Sequence, residues 1–289
     1  MEYETHTFVH RGHQLVYDVY GEGERLLVYM HGLLLDSEIN RGVAEALAER
    51  GNRVVLLDLL GHGRSDKPIH AEEYRIDSYA EQVIALLDEL GAPIATLGGM
   101  SLGANVSLFA ATEHPDRVNG LVLEMPVLEW AVPSAAIVFV PILLAAHYGR
   151  RGLAPLTALV RRLPRTPFGP LNSFLNAGSL PPDVIAAIMH GVLVGPVAPT
   201  FDARCRVVAP ALVLAHANDL IHPFDDATRL VGQLPNSTLV RARSPLELRL
   251  LPRRLTDSIA EFLETTWAHP RTTTPRGRSA GPRRRAVTA

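Results

Sequence analysis

The chain has 289 residues, 47% of them hydrophobic, and a formal net charge of -2, so it is long enough to bury one substantial core. Six arginines and no acid lie between 269 and 289, which leaves the rest of the chain acidic and argues against nucleic acid as the main partner. The single cysteine, Cys205, excludes an intrachain disulfide and a multi-cysteine metal cluster and suits a reducing cytosol. The first residues carry acids where an export signal would carry basic ones, and a cytoplasmic location is expected.

In chain order, residues 8–20 alternate apolar and polar positions on either side of Arg11-Gly12-His13, which predicts an antiparallel hairpin at a sheet edge. Residues 25–30 and 53–57 are continuous apolar runs, the pattern of strands buried on both faces, and 43–50 reads as a helix stopped by Gly51. Asp77 is placed to cap a helix over 78–90, with Val83, Leu86, Leu87 and Leu90 on one face and Gly91 as its stop. Strand 94–97, helix 104–114 and strand 120–123 continue the alternation, the signature of an α/β, mostly parallel, doubly wound sheet. Between 126 and 209 the rhythm breaks into proline-punctuated helical stretches. Residues 211–215 and 238–242 return to strand, and 255–267 forms a closing helix.

This organisation divides the chain into a first core part (1–125), an inserted helical cap (126–209), a second core part (210–268) and a basic tail (269–289) expected to be disordered. The apolar stretch 131–146 holds Pro133 and Pro141 and falls short of the ~20 residues that span a bilayer, so a buried or lid helix is expected and no transmembrane segment. Cap residues Ile137, Val138, Phe139, Ile142, Leu143 and Leu144, with Met189, Val192 and Leu193, are expected to roof an apolar pocket. Such a pocket suits a small apolar acyl or ester ligand.

Ligands of open parallel sheets bind beyond the carboxyl ends of the strands, which directs attention to the residues following each strand. There the sequence reads His31-Gly32-Leu33, then Asp58-Leu59-Leu60-Gly61-His62-Gly63-Arg64-Ser65, then Gly99-Met100-Ser101-Leu102-Gly103. A Gly-x-Ser-x-Gly pattern arises by chance in roughly one chain of this length in ten. The strand before it and the helix after it supply the missing specificity: glycines let strand and helix pass closely while the strained serine projects its hydroxyl.

With these motifs in this order, followed by a helical insert and an Asp after a late strand, the chain up to about 267 resembles the α/β-hydrolase superfamily, in its serine-nucleophile, esterase- or lipase-like branch. The resemblance implies Ser101 as nucleophile and the backbone N–H groups of Leu33 and Leu102 as an oxyanion hole. It sets aside branches that use an aspartate nucleophile, such as haloalkane dehalogenases. Asp219, with Pro223 closing its loop, is implied as the orienting acid, and Glu124 occupies the position some members use instead.

The resemblance fails at the general base, because Arg243 stands where a histidine is expected after the last strand and no histidine occurs between His222 and His269. A guanidinium cannot accept a proton from serine at neutral pH and is expected to pair with Asp219. Loss of a triad member costs on the order of 10⁴ to 10⁶ in turnover. His222, three residues past Asp219, is the substitute base within reach; His31, His62, His216 and His114 are expected in structural roles, and His147 and His190 lack carboxylates at ligand spacing, so neither metal nor cofactor is expected. The sequence thus supports a hydrolase of small apolar esters with impaired or unconventional catalysis. It leaves open an inactive ligand-binding protein and, more remotely, a cofactorless lyase or haloperoxidase-like enzyme.

Overall fold

The computed structural model describes residues 2–217 and 219–269. Its elements in chain order are β1 (Glu4–His10), β2 (His13–Tyr20), β3 (Arg25–Met30), α1 (Arg41–Ala48), β4 (Asn52–Asp58), α2 (Ile76–Glu89), β5 (Ala95–Met100), α3 (Leu102–Glu113) and β6 (Val118–Glu124). Five helices follow: α4 (Val132–Tyr148), α5 (Arg150–Arg161), α6 (Gly169–Gly178), α7 (Pro182–Val194) and α8 (Phe201–Cys205). The chain then completes β7 (Ala211–Ala215), α9 (Phe224–Gln233), β8 (Ser237–Arg241), α10 (Glu247–Leu250) and α11 (Arg253–Ala268).

The strands form one eight-stranded sheet in the order β1-β2-β4-β3-β5-β6-β7-β8. The β1–β2 hairpin is antiparallel and β2 joins β4 antiparallel, whereas every pairing from β4 through β8 is parallel. This is the α/β-hydrolase fold. The continuous apolar runs are central: Leu27, Val28, Met30, Val54, Val55 and Leu57 are fully buried because helices cover both faces of the sheet. On one face Val28, Val55 and Leu97 pack with α2 and α3 through Val83, Leu87 and Leu108. On the other, Leu27, Val54 and Val122 pack with α1 and α11 through Leu47, Ile259 and Leu263.

Four sequence expectations need correction or fall outside the structure. Asp77 is not the cap of α2: the helix starts at Ile76 with Arg75 at the cap, and Asp77 accepts the Ser78 N–H from within the first turn. The helix α9 goes unread in the sequence because Pro223, Gly232 and Pro235 break its short apolar pattern. The apolar stretch from 131, expected as a buried or a lid helix, is a helix, and the buried alternative does not hold, since only Ala135 and Ala146 of α4 are buried. The expected tail lies, from 270 onward, outside the described residues. Among the described residues, no single helix is long and apolar enough to cross a membrane.

Candidate active site

Ser101 sits between the end of β5 and the start of α3 with φ 53° and ψ -107°, a left-handed conformation that an L-residue holds only when its surroundings enforce it. Its N–H donates to the Glu124 carbonyl (2.8 Å), and the Gly103 N–H donates to the His31 carbonyl (3.2 Å). The flanking glycines are needed for close approach. A Cβ at Gly99 would lie 2.6 Å from the Met30 carbonyl oxygen, and one at Gly103 would lie 2.7 Å from the same oxygen and 2.8 Å from Met30 Cβ. The first of the buried parallel strands, β3, therefore fixes where the serine can be.

His31 and His62 shape the loops beside it. His31 is fully buried; its Nδ1–H donates to the Gly32 carbonyl (2.9 Å) and its Nε2 accepts the Leu59 N–H (3.1 Å), tying the loop after β3 to the loop after β4. His62 donates from Nδ1 to the Leu60 carbonyl (2.9 Å), and burial, helped by the nearby His31, pushes its pKa down to about 3. Asp58 accepts the Ser37 and Arg64 N–H groups and the Arg64 side chain. Burial opposes its ionised form, but Arg64 holds it below the usual carboxylate range. A Cβ on Gly63 would collide with that carboxylate, which explains the second glycine of the motif.

The remaining candidates leave the sheet after β7. His222 Nε2 lies 2.9 Å from Ser101 Oγ, and His222 Nδ1 lies 2.9 Å from Asp219 Oδ2. With Nδ1 donating to the carboxylate, Nε2 is the acceptor facing the serine hydroxyl. The other carboxylate oxygen, Oδ1, accepts the N–H groups of Ile221 (2.8 Å) and His222 (3.2 Å). His216 Nε2 is also 3.1 Å from Oδ2, but it is off-line for a hydrogen bond. Burial would raise the Asp219 pKa; the hydrogen bond and charge of His222, with the two backbone N–H groups, outweigh it and hold the carboxyl well below its ordinary value.

Arg243 does not pair with Asp219. It is exposed two residues beyond β8, and its backbone N–H donates to Glu247, whose carboxylate is also bound by Arg254. The oxygens of Asp219 are already engaged by Ile221 and His222. Glu124 is engaged elsewhere: it is buried in an ion pair with Arg249 (2.8 Å) and accepts the Tyr29 hydroxyl (2.8 Å). Arg249 also reaches Asn40 and the Met100 sulfur, which places this pair directly beneath the elbow.

Ser101 opens into a mostly apolar cavity of about 180 Å³ that Leu33, Leu102, Phe139, Val192 and Ile221 help to line. Of the α4 residues expected to roof it, Phe139 does so, joined by Val132 and Ala135; Ile137, Ile142 and Leu144 face outward instead, because the inner side of α4 is a narrow stripe. Met189 is buried away from the cavity. Sequence reasoning missed Asn105, whose side chain donates to the Val127 and Val197 carbonyls and accepts the Val127 N–H, tying both ends of the helical insertion to α3. A lone amide in the apolar run of α3 was its signal, as the lone Arg249 between leucines was for the Glu124 pair. Among the described residues one trio, Glu81, Glu113 and His114, has potential metal-donor atoms within 4.8 Å of one another; none of the three lines the cavity.

A family model for the alpha/beta hydrolase fold matches residues 25–150. A haloalkane dehalogenase of Mycolicibacterium paratuberculosis is 34% identical over 112 residues, 38% of this chain and 37% of the relative, so the chain spans little more than a third of that relative's length. A protein assigned as the carbamate hydrolase RutD of Caulobacter sp. (strain K31) is 29% identical over 202 residues, 65% of this chain and 70% of the relative. Among solved structures, the enol-lactonase of Burkholderia xenovorans LB400 superposes with a TM-score of 0.72 at 20% identity, covering 90% of this chain and 100% of that one. The ordered motifs, the sheet and these matches agree on the α/β-hydrolase fold.

Proposed function

We propose that the protein is a serine hydrolase of small apolar carboxylic esters or related acyl compounds, in which Ser101 is the nucleophile, His222 the general base and Asp219 the acid that orients it. The observation that carries this reading is the position of His222, 2.9 Å from both Ser101 Oγ and Asp219 Oδ2. Ser101 Oγ attacks the acyl carbon while its proton passes to His222 Nε2, and the resulting oxyanion is held by the Leu33 and Leu102 N–H groups. His222 returns the proton to the departing alkoxide, leaving an acyl-serine; a water molecule, deprotonated by the same nitrogen, then releases the acid and restores Ser101.

Arg243 has no part in this scheme. The step expected of a histidine after β8 is taken by one carried on the same segment as the acid. A cavity of about 180 Å³ is close to one that holds a benzene molecule, which favours a short-chain or aryl acyl group over a long one. A serine nucleophile separates this chemistry from haloalkane cleavage, which in its branch uses an aspartate. The helices between β6 and β7 serve as the cap of the cavity, and a single cysteine suits a cytosolic setting.

The test is hydrolysis of short-chain p-nitrophenyl esters, with fluorophosphonate labelling as a turnover-independent readout. The native chain should hydrolyse and label, and Ser101→Ala should do neither. Absence of both in the native chain would replace this reading with that of a ligand-binding protein.

A further inference from the structure

The helix α4 has 17 residues, none of them an acid, lysine or arginine, yet only Ala135 and Ala146 are buried. Its outward stripe is Ile137, Val140, Leu144 and Tyr148, spaced as one face of a helix, with Ile137 70%, Leu144 48% and Tyr148 80% exposed. A helix facing water normally turns polar residues outward, and a continuous apolar stripe on the surface marks a contact site. Exposed aromatics stand at both ends, Trp130 (64% exposed) just before the helix and Tyr148 as its last residue.

The chain segment that carries this stripe is one-sided in charge, although Asp183 of α7 reaches Arg150 (3.7 Å). The chain has 30 acidic residues, but none between Glu129 and Asp183, a span that contains Arg150, Arg151, Arg161, Arg162 and Arg165. Arg151 and Arg162 are exposed and have no ion pair among the described residues. Apolar side chains flanked by arginines and interfacial aromatics match a surface that is hydrocarbon beneath and negative above. At 17 residues α4 is too short to span a bilayer and long enough to lie in its interface.

We propose that the outer face of α4 and α5 docks on an anionic lipid bilayer. The apolar stripe of α4 enters the boundary between headgroups and acyl chains, while Arg151 and Arg162 contact the anionic headgroups. This surface does not depend on what Ser101 does. The opposite side of the same helix contributes Val132, Ala135 and Phe139 to the cavity, so a docked protein would hold its cavity next to the phase where apolar esters concentrate.

The test is flotation of the full chain with phosphatidylcholine vesicles, with and without phosphatidylglycerol, with tryptophan emission recorded in parallel. Native protein should float with the phosphatidylglycerol vesicles, shift its emission to shorter wavelength as Trp130 leaves water, and lose binding as salt is raised. Ile137→Asp/Leu144→Asp and Arg151→Glu/Arg162→Glu should each lower the partition about tenfold or more with unchanged circular dichroism and thermal midpoint. The proposal is overturned if native protein stays with the phosphatidylcholine-only baseline. It is equally overturned if both variants float as the native chain does, which would place binding elsewhere, such as the arginines beyond 270, or if sedimentation shows the α4 variants abolishing a dimer while vesicle binding is unchanged.

Discussion

The two halves of the candidate site are built in opposite ways. Ser101 is held from outside: β3 closes on Gly99 and Gly103, Glu124 accepts its N–H, and the Glu124–Arg249 pair underlies the turn. The segment that carries Asp219 and His222 is held from within, because the Asp219 carboxylate accepts the N–H groups of its own next residues as well as the His222 ring. Disturbing the elbow should therefore cost stability before chemistry, and disturbing the later segment should cost chemistry with little change in stability.

The largest expected effect is on that second side. Asp219→Asn keeps the shape but removes the charge that orients and stabilises His222, and ester turnover should fall on the order of 10⁴-fold by analogy with other serine triads. The thermal midpoint should move by only a few degrees; a collapse of the fold would show that the segment also supports the core. Beneath the elbow, Arg249→Met leaves the buried Glu124 carboxylate without its cation and should destabilise by about 3–5 kcal/mol, read from denaturant midpoints. Adding Glu124→Leu should recover part of that loss. Gly103→Ala forces a methyl against Met30 backbone and should cost about 1–3 kcal/mol, with residual activity falling no more than the folded fraction does if only packing is affected.

The smallest effect is a slope with pH. His62 is buried with its pKa at about 3, whereas the unfolded side chain titrates near its ordinary 6.5. The unfolded state thus binds a proton that the folded state refuses, and stability is full above about pH 6.5 and declines as pH falls toward 3. His31, shifted in the same direction by burial, adds to the decline. Denaturant midpoints at pH 7 and pH 5 should differ by about 1–2 kcal/mol, and His62→Asn, which keeps a donor for the Leu60 carbonyl, should flatten the difference. A difference that persists in the variant would assign the slope to other groups.

Much of the frame was legible because local pattern and tertiary burial agree there. The runs 25–30 and 211–215 coincide with β3 and β7, and the hairpin around Gly12 with β1 and β2. Strands buried on both faces leave an unmistakable apolar run. The α4 stretch left a buried and a lid helix open for the converse reason: an apolar pattern reads alike whether its partner is the protein core or lies outside the chain. Ser101 and Asp219 stood out as candidates by motif and position. The proximity of His222 to both was open at the sequence level, since it depends on how a short segment turns after β7, and the expected pairing of Arg243 with Asp219 ignored the backbone N–H groups that already occupy that carboxylate.

The central claim is that Ser101 takes its base from the β7 segment and not from the residue after β8. Comparing the rate of short-chain ester hydrolysis in native protein, His222→Ala and Arg243→Ala tests it most directly. The account predicts a loss of at least about 10³-fold for His222→Ala, with Arg243→Ala remaining close to native. Native-like hydrolysis by His222→Ala, still abolished by Ser101→Ala, would contradict it.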